Sequence, residues 1–215
     1  MARPAKVSPD RILAAAATEF AARGYAGARV DRIARRARVN KAMLYYHFGS
    51  KRQLYRELLR SIFAQAAERL RAVGASGRPP AEMVDAAIAT LADLAHEKTF
   101  FPAVMLREIA EGGAHLDREA LAALSAVPMA FSEIVTAGIR SGAFRQVHPL
   151  AAYFTVLAPV VLFMAGAPIR RELADAHLLA MPTLKPDAFV RHLQDSMRRS
   201  LARDRSGPNS KRPTP

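Results

Sequence analysis

Tyr45, Tyr46 and His47 follow one another on a short predicted helix, and Lys51 comes four residues later, at the start of the next one. Phenol and imidazole tips exchange hydrogen bonds, and a lysine ammonium adds a point charge. Together they suit the phosphates, sugars and thymine methyls that line a groove of DNA. Neighbouring helical positions point about 100° apart, so Tyr45 and Tyr46 are difficult to bury together. Two core tyrosines on an ordinary helix are the competing explanation. Other chemistries are poorly represented. The histidines, at 47, 96, 115, 148, 177 and 192, form no His-x-x-x-His pair and no carboxylate cluster at metal spacing, so no metal site is expected. A glycine-rich phosphate loop and a Gly-x-Ser-x-Gly elbow are absent, and there is no cysteine for a thiolate or a disulfide. The sequence predicts neither an enzyme nor a cofactor.

Helices must hold these residues in place. Ser8-Pro9 caps and opens a helix in which Ile12, Leu13, Ala16, Ala17 and Phe20 share a face until Gly24. Val30, Ile33, Ala34 and Ala37 predict a shorter helix whose other face carries Arg32, Arg35 and Arg36. Asn40 can cap a third helix, with Leu44 turned inward and Gly49 closing it. Ser50 and Gln53 have capping-box spacing. Leu54, Leu58, Ile62 and Leu70 then repeat at multiples of four along a fourth helix of about six turns. After a turn-rich break from Gly74 to Pro80, Met83, Ala87, Leu91 and Leu94 outline a helix ending near His96 to Thr99. A further segment runs from Phe100 to Gly112-Gly113, and a long helix reaches about Arg140, with a bend expected at Pro128. Pro149 opens a very apolar helix, and the last one, 187–203, places Phe189, Leu193, Met197 and Leu201 in one stripe. No alternating strand pattern of useful length appears, which predicts an all-α fold.

Charge is distributed unevenly. Of the net +13, residues 1–60 contribute +10, with 14 Lys or Arg against 4 Asp or Glu. Residues 61–200 balance 14 against 14, and the last fifteen add +3. A localised positive field attracts polyanions; a solvated surface in an arginine-rich chain is the bland alternative. The start, Met-Ala-Arg-Pro-Ala-Lys, is polar with no apolar segment behind it, so no secretory signal and a cytoplasmic location are expected. Residues 150–169 hold no charge over twenty positions, long enough to cross a membrane. Pro159 interrupts them and no aromatic belt frames them, so a buried helix and no membrane partner are expected.

Two short helices joined by a tight turn and braced by a third make a helix-turn-helix, the second helix lying in the major groove. Residues 9–56 resemble the N-terminal domain of the tetracycline-repressor (TetR) family of bacterial regulators. The resemblance is carried by Ile12 to Ala16, Phe20 with Gly24-Tyr25, Val30 to Ala34, Ala37 to Val39, Leu44 to Phe48 and Lys51 to Leu54. It implies a reading helix, within a helix-turn-helix at about 30–49, in which Lys41, Ala42 and Met43 face bases. Tyr45, His47 and Lys51 would hold the phosphate backbone, joined by Asn40 and Tyr46. The family usually places a hydroxyl residue before Val30; this chain has Ala28-Arg29, and Arg29 can supply a phosphate contact but not a cap, a loss of ~1 kcal/mol. It also prefers glycine where Arg38 stands, so a left-handed backbone there would be mildly strained.

The resemblance fades after about residue 60 and implies a helical effector-binding and dimerisation domain, here 57–204. A basic arm (1–8) precedes the DNA-binding module and a disordered basic tail (205–215) follows the second domain. For a small apolar or amphipathic effector, the candidate lining residues are His96, Phe100, Phe101, Met105, Arg107, Glu108 and Phe131. For a homodimer, the apolar helix and the final one are the candidate interface, through Phe154, Leu157, Val161, Phe189, Leu193 and Met197. The expected function is a dimeric regulator, a repressor released from a palindromic operator by its effector. An activator, a regulator without a ligand, and a helical small-molecule carrier are the alternatives.

Overall fold

A computed structural model describes residues 8–178 and 182–203. The expected basic arm (apart from Ser8) and basic tail lie outside them. The described residues form ten helices and no strand, as the patterning predicts. The first four are α1 (Pro9–Gly27), α2 (Val30–Ala37), α3 (Lys41–Phe48) and α4 (Lys51–Gly74). Their ends are set by local chemistry. The Ser8 side chain accepts from Asp10 N, Asn40 Oδ1 from Met43 N at 2.7 Å, and Ser50 Oγ from Gln53 N at 3.1 Å. Each binds an N–H that the first turn leaves without a partner. Gly49, at φ 71°, ends α3 in a conformation an L side chain rarely adopts. Arg38 ends α2 in the left-handed region at φ 52°, ψ 46°, as expected; Val39 N reaches Ala34 O at 3.0 Å across it.

The missing cap on α2 is offset from an unexpected direction. Glu19, on α1 and only 4% exposed, accepts from Arg29 N at 3.3 Å and from Arg32 Nε. Arg32 also donates to Gly27 O at 2.8 Å. Burial alone would raise the Glu19 carboxyl, but the hydrogen bonds from Arg32 and Arg29 outweigh it and hold the group below its usual range. Gly24, at φ 67° and ψ 179°, breaks α1 one turn before its end, where the sequence places the stop.

The remaining helices are α5 (Pro80–Glu97), α6 (Phe101–Ala110), α7 (Arg118–Arg140), α8 (Pro149–Ala165), α9 (Ala167–Asp175) and α10 (Pro186–Leu201). The twenty uncharged residues do not form one rod: α8 ends before Gly166, and α9, not anticipated from the sequence, leaves it at 48°. Pro168 sits in the first turn of α9, where a missing N–H costs nothing. Pro128 and Pro159 lie within α7 and α8. Leu54, Leu58, Ile62 and Leu70 are all buried along α4. That helix packs on α1 near its start and on α5 and α7 further along, and it runs straight through the expected domain boundary at 56–57.

Gly138 on α7 leaves the space that Phe144 fills; a Cβ there would lie 2.2 Å from two ring carbons. Gly138→Ala is therefore expected to lower unfolding stability by about 1–3 kcal/mol through overpacking, read as a lower urea midpoint at unchanged slope. An unaltered midpoint would mean that the ring has room to move.

Candidate nucleic-acid interface and apolar cavity

On α3, Leu44 is fully buried and fixes the helix to its support, so the opposite face must point outward. Asn40, Lys41, Ala42, Tyr45 and Tyr46 are exposed, Tyr46 at 82%, and Met43 is half-buried. Arg29 is exposed at the start of α2. Lys41 is engaged within the module: its Nζ lies 2.8 Å from Asp31 Oδ1. The hydrogen bond between them raises the lysine and lowers the aspartate from their ordinary values.

Two expected contact residues sit differently from the rest. His47 is half-buried, lines an open cleft with Pro9, Leu13 and Gln53, and sets its ring edge-on to Tyr46 with centroids 5.3 Å apart; its Nε2 is buried without a partner among the described residues. Lys51 is no mobile charge. Its Nζ donates to Ala28 O at 3.0 Å and Ala26 O at 3.4 Å and lies 4.5 Å from the Tyr25 ring centroid. This desolvation lowers the ammonium from its usual range. Lys51 ties the start of α4 to carbonyls in the last turn of α1 and just after it.

In the C-terminal region an apolar cavity of about 70 Å³ lies among α4 to α8. Phe63, Leu91, Leu124, Val127 and Val160 form much of its wall, with Phe101, Met105 and Ile109 of α6 at helical spacing on one side. Tyr153 brings a hydroxyl whose pKa burial pushes well above the ordinary value. Of the seven expected lining residues, two reach this cavity, Phe101 and Met105. His96 is exposed, and Phe100 faces a separate open cleft beside α1. Phe131 is core, set edge-on to Tyr153 with centroids 5.8 Å apart. Arg107 and Glu108 point to neighbouring helices instead. Arg107 Nη1 donates to Phe20 O and Ala21 O of α1, at 3.2 and 3.0 Å. Glu108, 1% exposed, accepts from Tyr55 Oη of α4 at 2.9 Å and from His115 N at 2.9 Å. Glu111 also approaches His115. The sequence reading saw no carboxylate–histidine cluster; the turn at Gly112 and Gly113, with φ of 66° and 76°, makes one by folding His115 back over α6.

The expected interface residues also divide. Leu193 and Met197 are buried in the chain's own core, and Leu157, half-buried, and Val161, buried, line the cavity. Phe189 stacks on Phe163 with centroids 4.0 Å apart. Phe154 alone of the six is exposed, at 54%. It belongs to a stripe the sequence reading missed: Leu150, Phe154, Ala158 and Leu162 recur every fourth residue along α8, and all are exposed.

Residues 12–58 match the model of the bacterial regulatory proteins of the tetR family. Over 58 residues the chain is 47% identical to the HTH-type transcriptional repressor SCO4008 of Streptomyces coelicolor, a match covering 27% of this chain and 30% of that one. It is 29% identical over 167 residues to the HTH-type transcriptional repressor NicS of Pseudomonas putida, covering 75% and 77% of the two chains. The fold is shared with the transcriptional regulator FadR from Bacillus subtilis, solved in complex with stearoyl-CoA. The TM-score is 0.72 at 17% identity, over 88% of this chain and 97% of that one.

The different settings of Tyr46 and Lys51 lead to different expectations. Tyr46→Ala should leave the melting temperature unchanged and weaken duplex binding by about 1 kcal/mol or more. Lys51→Ala should also lower stability, by about 1 kcal/mol, because two backbone carbonyls lose their donor. Thermal melts and duplex titrations of both variants check this; equal melting of the two would show that the Lys51 contacts carry no stability.

Proposed function

The chain belongs to the tetR family of bacterial regulatory proteins, and on that footing we propose that it is a dimeric, ligand-responsive transcriptional repressor acting in the cytoplasm. The observation that carries the reading is the exposed face of α3 on a module that α1, α2 and α4 hold from behind. Lys41, Ala42 and Met43 read bases, while Arg29, Asn40, Tyr45 and Tyr46 reach the phosphate backbone. Two such heads on a symmetric dimer match the two halves of a palindrome. The Leu150–Phe154–Ala158–Leu162 stripe of α8 supplies the apolar contact between protomers.

The effector is a small molecule with an apolar body, because the cavity offers hydrocarbon, aromatic rings and a thioether with a single hydroxyl. A cavity of about 70 Å³ is far below the roughly 300 Å³ at which ligand pockets begin, so an occupant must displace a wall. One wall is α6, which Arg107 fastens to α1 and Glu108 to α4. Its displacement changes the setting of the head, and the effector's preference for the displaced state weakens operator binding.

Selection of bound duplexes from a random library tests the reading. A symmetric site is expected, with binding that weakens steeply as salt rises; recovery of no preferred sequence would leave a helical carrier with a basic end. Phe154→Asp combined with Leu162→Asp should yield folded monomers that no longer hold the symmetric site. A dimer that persists in sedimentation would exclude α8 as the contact.

A further inference from the structure

Three potential metal ligands converge where α6 ends. One donor atom from each of Glu108, Glu111 and His115 lies within 4.8 Å of the others. His115 Nδ1 is 3.1 Å from Glu108 Oε2 and 3.2 Å from Glu111 Oε2. One imidazole nitrogen carries at most one proton and cannot serve two carboxylates well. Glu108 is also sealed from water, and among the described residues no lysine or arginine pairs with it. Arg107 beside it is committed to the α1 carbonyls. A buried carboxylate lacking a fixed cation is costly, and Glu111 brings a second negative charge to the same nitrogen.

We propose that Glu108, Glu111 and His115 bind a divalent transition-metal ion. Two carboxylate oxygens and an imidazole nitrogen suit zinc, manganese, iron(II), cobalt or nickel. Metal–ligand bonds of roughly 2.0–2.2 Å place neighbouring ligand atoms about 2.9–3.6 Å apart at octahedral or tetrahedral angles. The two separations at His115 fall in that range. Outer partners orient the donors, as metal sites require. His115 N holds Glu108 Oε1, Tyr55 Oη donates to Glu108 Oε2, and the Tyr25 ring lies 4.0 Å from the imidazole centroid. Glu111, 47% exposed at its side chain, forms the entrance and leaves room for water as further ligands. Tyr25 and Tyr55 belong to α1 and α4, so the ion would sit against both helices that bear the DNA-reading head. Metal binding itself does not depend on the DNA-binding reading.

The test is calorimetric titration of the untagged full-length protein, stripped with chelator, with ZnCl2 and separately MnCl2. One ion per chain is expected, with affinity about tenfold or more weaker in Glu111→Gln and in His115→Asn. Glu111 is half-exposed, so its variant keeps the fold, and circular dichroism verifies this for both. The ion should raise the melting temperature of the parent and not of the variants. Absence of saturable binding in the parent, or equal binding in all three proteins, overturns the proposal.

Discussion

A helix of eight residues does not persist in water by itself, because nucleation costs more than so few hydrogen bonds return. Both α2 and α3 have that length, so the DNA-reading unit exists only as far as its surroundings hold it. Caps supply part of the support, and buried Ile33, Ala37 and Leu44 supply the rest. The orientation of α2 depends further on Glu19, a carboxylate that α1 buries and that Arg32 and the Arg29 N–H satisfy. A charge so placed is directional where apolar packing is not, and it helps to fix the angle between α1 and α2.

The same dependence links the head to the rest of the chain. No linker separates the two regions, because α4 is continuous and its buried face belongs to one core from Leu54 to Leu70. Several polar ties run through α6, a ten-residue helix that presents apolar side chains to the cavity and polar ones to α1 and α4. A helix with three different neighbours cannot move against one without disturbing the others.

Features that act within one turn were legible in the sequence. Asn40, Ser50 and Gly49 do locally what their types predict, and Arg38, where the family prefers glycine, has the left-handed backbone that would explain that preference. Features that depend on who packs against whom were not. An apolar stripe says that side chains are buried, not which surface buries them: Leu193 and Met197 went to the chain's own core, and Leu157 and Val161 to the cavity. The exposed α8 face was hidden in a helix apolar on every side. Lys51 reads as a surface cation because its partners, Ala26 and Ala28, lie more than twenty residues back in the chain. The Glu108–Glu111–His115 group is not visible in the spacing of the histidines, since it arises only when two glycines reverse the chain.

The ion pair of Lys41 with Asp31 has a consequence for how charge is counted. A cation already neutralised within the protein can engage an outside anion only by releasing its partner, and the freed carboxylate then takes up a cation from solution. That uptake offsets an ion released elsewhere, so a paired cation contributes less to the salt dependence of an association than an unpaired one. Arg23 and Arg32 are likewise paired within the protein, both with Glu19. The surplus of +10 in residues 1–60 therefore pools paired and unpaired cations, which do not respond alike to an outside anion. An anion that engages one of these paired cations must first displace its acidic neighbour.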